Sequence, residues 1–201
     1  EVSAVFNLNL EIPQEIDQIV NKRVEVKDSK NQFPLNVTVR NPVNHAFVQR
    51  YILTGLTNLK VEKSPLWLRI FLLKHDVASI NNVVDITNYV MLLTGQPLHA
   101  FDYDKTTGNI IVRTGRVEEK ILTLDDKVHE LDQEVIVISD DKNALGVGGV
   151  IGGKDSSITD KTKTILLETA TFDMYNIRRT SMKLGLFTDA VTRYGKGIDP
   201  E

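Results

Sequence analysis

The stretch SINNVVDITNYVMLLTG, residues 79–95, and the QPLHAFD that follows it at 96–102 decide the architecture. The first part reads as a helix. Ser79 or Asn81 supplies the N-cap and Gly95 the left-handed terminator. Val83, Ile86, Val90 and Leu93 fall on one apolar stripe, with Asn82, Asp85 and Thr87 elsewhere around the helix. After residue 97 the texture changes to short strands. NIIVRTG, KILTLDD, KVHELD and EVIVISD are each bounded by Gly, Asp or Asn turns, which predicts a meander or a series of hairpins.

Working outward, FPLNVTVR alternates apolar residues at Leu35, Val37 and Val39, and AFVQRYILTGL is a second strand beyond the turn at Asn41-Pro42. SPLWLRIFLLKHD predicts a helix with Ser64 as N-cap, Pro65 in the first helical position and apolar residues at Leu66, Ile70 and Leu73. Downstream, ALGVGGVIGG (144–153) is apolar and dense in glycine, TILLETATF is strongly β-prone, and DMYNIRRTSMKLG predicts a helix from Asp173 to a stop at Gly185. Strands before, between and after helices, without a regular βαβ rhythm, point to an α+β domain. Its expected extent is residues 35–201, with residues 1–34 as a lead-in packed on it or preceding it.

Composition narrows the function. The chain has 201 residues, 24 Lys and Arg against 27 Asp and Glu, and a net charge of −3. That argues against a globally basic nucleic-acid coat and leaves room for a local basic face. The absence of cysteine removes disulfides, thiol nucleophiles, Cys-ligated zinc and iron–sulfur chemistry. No run approaches the roughly 18 apolar residues of a membrane span, and the first residues lack a signal-peptide pattern, so a cytoplasmic protein without membrane partners is the simplest expectation. Both ends look cut, as in a piece of a longer chain.

Four histidines (His45, His75, His99 and His129) show no metal-ligand spacing, so no metal site is expected. The glycines at 146, 148, 149, 152 and 153 have no Lys-Ser/Thr for a phosphate loop and no following helix in a βαβ unit. Two readings stay open: tight strand approach, or a pocket wall of bare backbone. Glu168 interrupts the apolar strand on the same face as Leu166 and Ala170. It either faces solvent from an edge strand, the commoner case for a glutamate, or points into a pocket. His99, between Leu98 and Ala100, is by itself more often structural than catalytic. Residues 176–197 hold Arg178, Arg179, Lys183, Arg193 and Lys196 against the single acid Asp189, an excess that suits phosphate contacts or a solvated helix face.

Taken in order, NNVVDITNYVMLLTGQPLHAFD (81–102), GVGGVIGG (146–153), ILLETATFD (165–173) and IRRTSMKLGLFTDAVTRYGKGIDP (177–200) resemble the B3/B4 region of the bacterial phenylalanyl-tRNA synthetase β subunit. The resemblance covers about residues 35–200. It implies a three-layer β/β/α sandwich and an editing activity, hydrolysis of tRNA(Phe) mischarged with tyrosine. An apolar pocket built for phenylalanine rejects an added hydroxyl by only about a hundredfold, whereas a site built to bond that hydroxyl can discriminate by about 10⁴–10⁵.

By the same resemblance, Glu168 selects the phenol, and His99 with the polar pair Thr87 and Asn88 orients ester or water. Gly148, Gly149, Gly152 and Gly153 wall the tyrosyl ring, and Thr188 and Ala190 border the pocket. Arg178, Arg179, Arg193 and Lys196 are weak tRNA-contact candidates. No serine–histidine–acid set is visible, so direct attack by water is expected. The implied partners are the tRNA(Phe) 3′ end, the remaining β-subunit domains and the α subunit. No cofactor is expected in this piece, ATP and Mg belonging to the parent enzyme's synthetic site. Val191 and Gly195 depart from the family, which commonly has a small polar residue and an acid there. The competing expectation is a non-catalytic structural or tRNA-docking module with a decayed editing site.

Overall fold

A computed structural model describes residues 35–43 and 45–199; the expected lead-in, residues 1–34, lies outside them. Among the described residues ten strands form three sheets. The strands are β1 (Asn36–Val39), β2 (Val48–Leu56), β3 (Leu98–Asp102), β4 (Asn109–Thr114), β5 (Glu119–Leu122), β6 (Val128–Leu131), β7 (Ile136–Ser139), β8 (Ala144–Val147), β9 (Ile151–Gly152) and β10 (Ile165–Phe172). The order is β1-β4-β7-β8-β9 in one sheet and β2-β10-β3 in another, with β5 and β6 as a separate hairpin. Four α-helices accompany them among the described residues: α1 (Leu66–Leu73), α2 (Asn82–Thr94), α3 (Met174–Leu184) and α4 (Asp189–Tyr194).

The layers follow from strand alternation. On β10, Leu166, Ala170 and Phe172 point into the main core with Ile110, Val112 and Ile138 of the five-stranded sheet. Ile165 and Leu167 point the other way and form a second cluster with Val83 of α2. Sheet, sheet and helix therefore stack as three layers, and the α+β, β/β/α expectation is borne out. Antiparallel β4 and β7 pair directly, with the β5–β6 hairpin inserted between them in sequence. Of the two expectations, a hairpin holds for β5–β6 and a simple meander does not: β7, buried at every residue, takes the centre of the sheet, a place its polar-edged neighbours β5 and β6 could not fill.

Local caps form as the sequence indicates. Asn81 accepts from the Val84 N–H and Gly95 adopts φ 80° at the end of α2. Asp173 accepts from the Asn176 N–H and Gly185 ends α3 at φ 67°. The buried faces of the first two helices differ from expectation. In α1, Leu68 and Leu72 are buried while Leu66, Ile70 and Leu73 are exposed. That helix is apolar all round, so periodicity could not choose its face; packing on α2 through Trp67–Tyr89 and Phe71–Tyr89 does. Nor does Ser64 cap α1. Its hydroxyl instead donates to Asp85 at 2.5 Å.

In α2, Val83, Thr87 and Met91 are buried, and Ile86 and Leu93 are exposed. Asp85 goes inward because donors meet it there: Ser64 Oγ, Ser79 Oγ at 2.6 Å and the Ile80 N–H at 2.8 Å. Thr87 goes inward because its hydroxyl donates to the Val84 carbonyl at 2.7 Å. β1 is an exposed edge strand parallel to β4, so its alternating valines bury little.

Candidate functional site

Register places the central pair. In the antiparallel β10–β3 ladder Glu168 stands directly opposite His99, and directly opposed residues share one face of a sheet. That face looks toward the five-stranded sheet. Since β10 is the middle strand of three, Glu168 has no edge from which to reach solvent, and it is 6% exposed. The edge-strand alternative is excluded.

Glu168 and His99 both line a cavity of about 270 Å³, with the glycines at 146, 148, 149 and 152 and with Thr87, Asn88, Thr188, Asp189, Ala190 and Tyr194. This is small for a drug-sized ligand and suits one amino-acid side chain. Most of the remaining wall is apolar, including Val84, Met91, Leu124 and Ile138. Burial pushes the Glu168 carboxyl up to about 7, partly offset by a hydrogen bond from Tyr51. The Tyr51 hydroxyl donates to Glu168 Oε2 at 2.7 Å. Burial pushes the His99 imidazole down to about 4, so it is neutral at pH 7. Its Nε2 is buried without a hydrogen-bond partner among the described residues. An unpaired buried polar atom is costly, and a ligand or water supplied to it recovers that cost.

The glycines divide by what a side chain would strike. A Cβ on Gly152 would lie 2.5 Å from His99 Cε1, so this glycine makes room for the imidazole. At Gly148 it would meet Ile136 at 2.7 Å, and at Gly149, where φ is +69°, Ile177 at 2.8 Å; both serve core packing behind the wall. Gly153 does not line the cavity: its Cβ would strike the Leu145 carbonyl at 2.5 Å, the strand-approach reading of the run.

The two cavity threonines are committed as donors. Thr87 donates to Val84 as above, and Thr188 donates to the Val150 carbonyl at 2.8 Å while capping α4 through the Val191 N–H at 3.2 Å. Neither hydroxyl is aimed at a base, so the cavity offers no activated nucleophile. The Asn88 amide carries no hydrogen bond among the described residues and is free to orient a ligand or water.

Most of the basic run has partners within the chain, several of them exposed ion pairs. Arg178 Nε donates to the Gly195 carbonyl, Arg179 lies 3.8 Å from Glu134, Lys183 pairs with Asp132, and Arg193 pairs with Asp189 at 3.2 Å. A Cβ on Gly195 would lie 2.7 Å from the Val191 carbonyl, so the departure at 195 suits the close backbone approach at the end of α4. Among the described residues no group of three or more His, Asp or Glu could hold a metal ion, and no helix is long and apolar enough to cross a membrane. Sequence reasoning missed Tyr51 and Tyr194. Tyr194 is buried, receives a bond from Gln96 Nε2 and donates to the Pro97 carbonyl, each at 3.4 Å.

Fold and cavity together define an α+β domain that encloses a small, mainly apolar cavity around a buried carboxyl. Residues 48–201 match the model of the B3/4 domain, and the chain belongs to that family. It is 44% identical over 169 residues to the phenylalanine–tRNA ligase beta subunit of Carboxydothermus hydrogenoformans, covering 84% of this chain and 21% of that one. Against the beta subunit of Clostridium tetani it is 39% identical over 201 residues, covering 100% of this chain and 24% of the relative. The chain therefore spans about a quarter or less of these relatives. A crystal structure of an N-terminal fragment of the phenylalanyl-tRNA synthetase beta subunit from Pyrococcus horikoshii superposes with a TM-score of 0.55 at 13% identity, covering 81% of this chain and 50% of that one. That likeness bears on the fold.

Proposed function

We propose that this chain is the editing domain of a phenylalanine–tRNA ligase β subunit and hydrolyses the ester of tRNA(Phe) mischarged with tyrosine. The observation that carries the reading is Glu168, a carboxyl buried in a mainly apolar cavity with its Oε1 meeting no donor among the described residues. A tyrosyl phenol donates to it. A phenylalanyl ring enters the same space and leaves it desolvated and unpaired, a penalty of about 1–3 kcal/mol, larger for an ionised acceptor.

With no activated nucleophile, water attacks the ester directly, oriented by Asn88 and by the unpartnered His99 Nε2. A neutral imidazole serves here as a hydrogen-bonding group, while Thr87 and Thr188 shape the wall. The reaction draws on no cofactor in this domain; ATP and Mg serve the synthetic site of the longer enzyme, whose other β domains and α subunit are the partners. The tRNA 3′ end enters the cavity, and Lys196 with the outer guanidinium edges of Arg178, Arg179 and Arg193 touches the backbone weakly. The setting is the cytoplasm, with translation.

The docking-module alternative draws on the basic run, and the internal partners of Arg178, Arg179, Lys183 and Arg193 weaken it. The two readings separate in the full-length enzyme. Gly152→Trp, which fills the cavity, abolishes Tyr-tRNA(Phe) deacylation if the domain edits. Unchanged deacylation in that variant, with tRNA binding weakened by neutralising Arg178 and Arg179, would favour docking.

A further inference from the structure

We propose that Tyr51 is a positioning residue for phenol selection: from outside the cavity its hydroxyl holds one oxygen of the Glu168 carboxyl, leaving the other to meet a tyrosyl hydroxyl. This rests on the editing reading and extends it to a residue behind the wall. Leu53 of β2 stands opposite Glu168, and Tyr51 stands opposite Ala170. Tyr51 is therefore the diagonal neighbour of Glu168 on the same face, within reach of a long side chain. The reach is used, the hydroxyl lying 2.7 Å from Oε2. Tyr51 is not among the cavity-lining residues, whereas Glu168 is.

The bond does two things. It fixes the rotation of the carboxyl, so that Oε1 alone faces a ligand, and it favours the ionised form against the burial that disfavours it. Tyr51 can do this across neutral pH because burial and the nearby carboxylate hold its own phenol well above the ordinary range. The other titratable groups facing Glu168 are His99 from β3, Tyr194 from α4 and, across the cavity, Asp189, which pairs with Arg193. His99 is pushed down to about 4, and Tyr194 is raised by burial. Neither changes charge near pH 7, so selectivity measured there reports the state of Glu168.

The test is Tyr51→Phe in the full-length enzyme, with kcat/KM for Tyr-tRNA(Phe) and Phe-tRNA(Phe) followed from pH 6 to 9. Tyrosyl-ester clearance at pH 7 should fall by roughly tenfold or more, the effect of losing a hydrogen bond to a charged group. The phenylalanyl rate should stay at the parental level, and raising the pH to 9 should restore most of the loss as the carboxyl ionises. A parental pH profile, or a loss in both esters that no pH restores, overturns the assignment. A parent enzyme that spares Tyr-tRNA(Phe) overturns the editing reading and this proposal with it, whereas an active parent with an unmoved variant overturns Tyr51 alone. If Tyr51→Phe does not fold, 3,5-difluorotyrosine at position 51 keeps the shape and donates more strongly. The selectivity midpoint should then move to lower pH, and an unmoved midpoint overturns the proposal equally.

Discussion

Glu168→Gln should stabilise the domain relative to the parent at high pH and leave it little changed at low pH. Burial raises the carboxyl from its ordinary 4.5 to about 7, so between those values the folded chain holds a proton that the unfolded chain has released. Folding stability then falls as pH rises through the window; the contribution of the protonated form is complete below 4.5 and lost above 7. The interval corresponds to about 3 kcal/mol at 1.36 kcal/mol per pH decade. Glutamine does not titrate, and its carbonyl can still accept from Tyr51. The stability difference between variant and parent should therefore be near zero at pH 4.5 and grow toward about 3 kcal/mol by pH 8. For a chain of this size that is roughly 6–12 °C in Tm. Urea denaturation of both proteins from pH 4.5 to 8 measures it, and taking the difference cancels the other titrating groups. A difference that stays flat, or shrinks with pH, would show that the carboxyl is not desolvated and would remove the basis for selection by an unpaired acceptor.

Three other outcomes follow from the packing. Asp85→Ala strands the Ser64 and Ser79 hydroxyls and the Ile80 N–H, and should cost about 2–5 kcal/mol in a denaturation experiment, with the α1–α2 region losing hydrogen-exchange protection first. Gly152→Ala forces its methyl onto the His99 ring, 2.5 Å away; it should cost about 1–3 kcal/mol in stability and lower tyrosyl-ester clearance far more than a change of one methyl elsewhere. Arg113 and Glu119 form a two-pronged pair at 2.8 and 2.6 Å, and the Arg113 bonds hold the Glu119 carboxyl below its ordinary range. That stabilisation is present above the ordinary carboxylate value and lost as pH falls through the lowered one. Arg113→Ala should therefore destabilise by about 1–3 kcal/mol at pH 7, and by less as pH falls through the lowered carboxylate value, in urea melts.

What was legible in the sequence was what is decided locally. The caps at Asn81 and Asp173 and the left-handed stops at Gly95 and Gly185 depend on residues a turn apart, and they form where expected. The resemblance also named Glu168, His99, Thr87, Asn88, Thr188, Ala190 and most of the glycines that line the cavity. What could not be read was set by distant partners. Whether Glu168 lay at an edge or in the centre depended on β2 and β3 flanking β10, not on the strand's own alternation. Tyr51 reaches Glu168 across 117 residues of sequence, and its only local signal was period-2 placement with Leu53. Asp85 and Thr87 fell off the expected apolar stripe of α2, and their burial rests on donors and acceptors on other segments or in the preceding turn.

The most direct measurement compares deacylation of Tyr-tRNA(Phe) and Phe-tRNA(Phe) by the full-length enzyme with and without Glu168→Ala. The parent should clear the tyrosyl ester and spare the phenylalanyl one, and the variant should lose that preference. A variant that still clears tyrosine and spares phenylalanine at parental rates would contradict the assignment of the phenol's acceptor to Glu168.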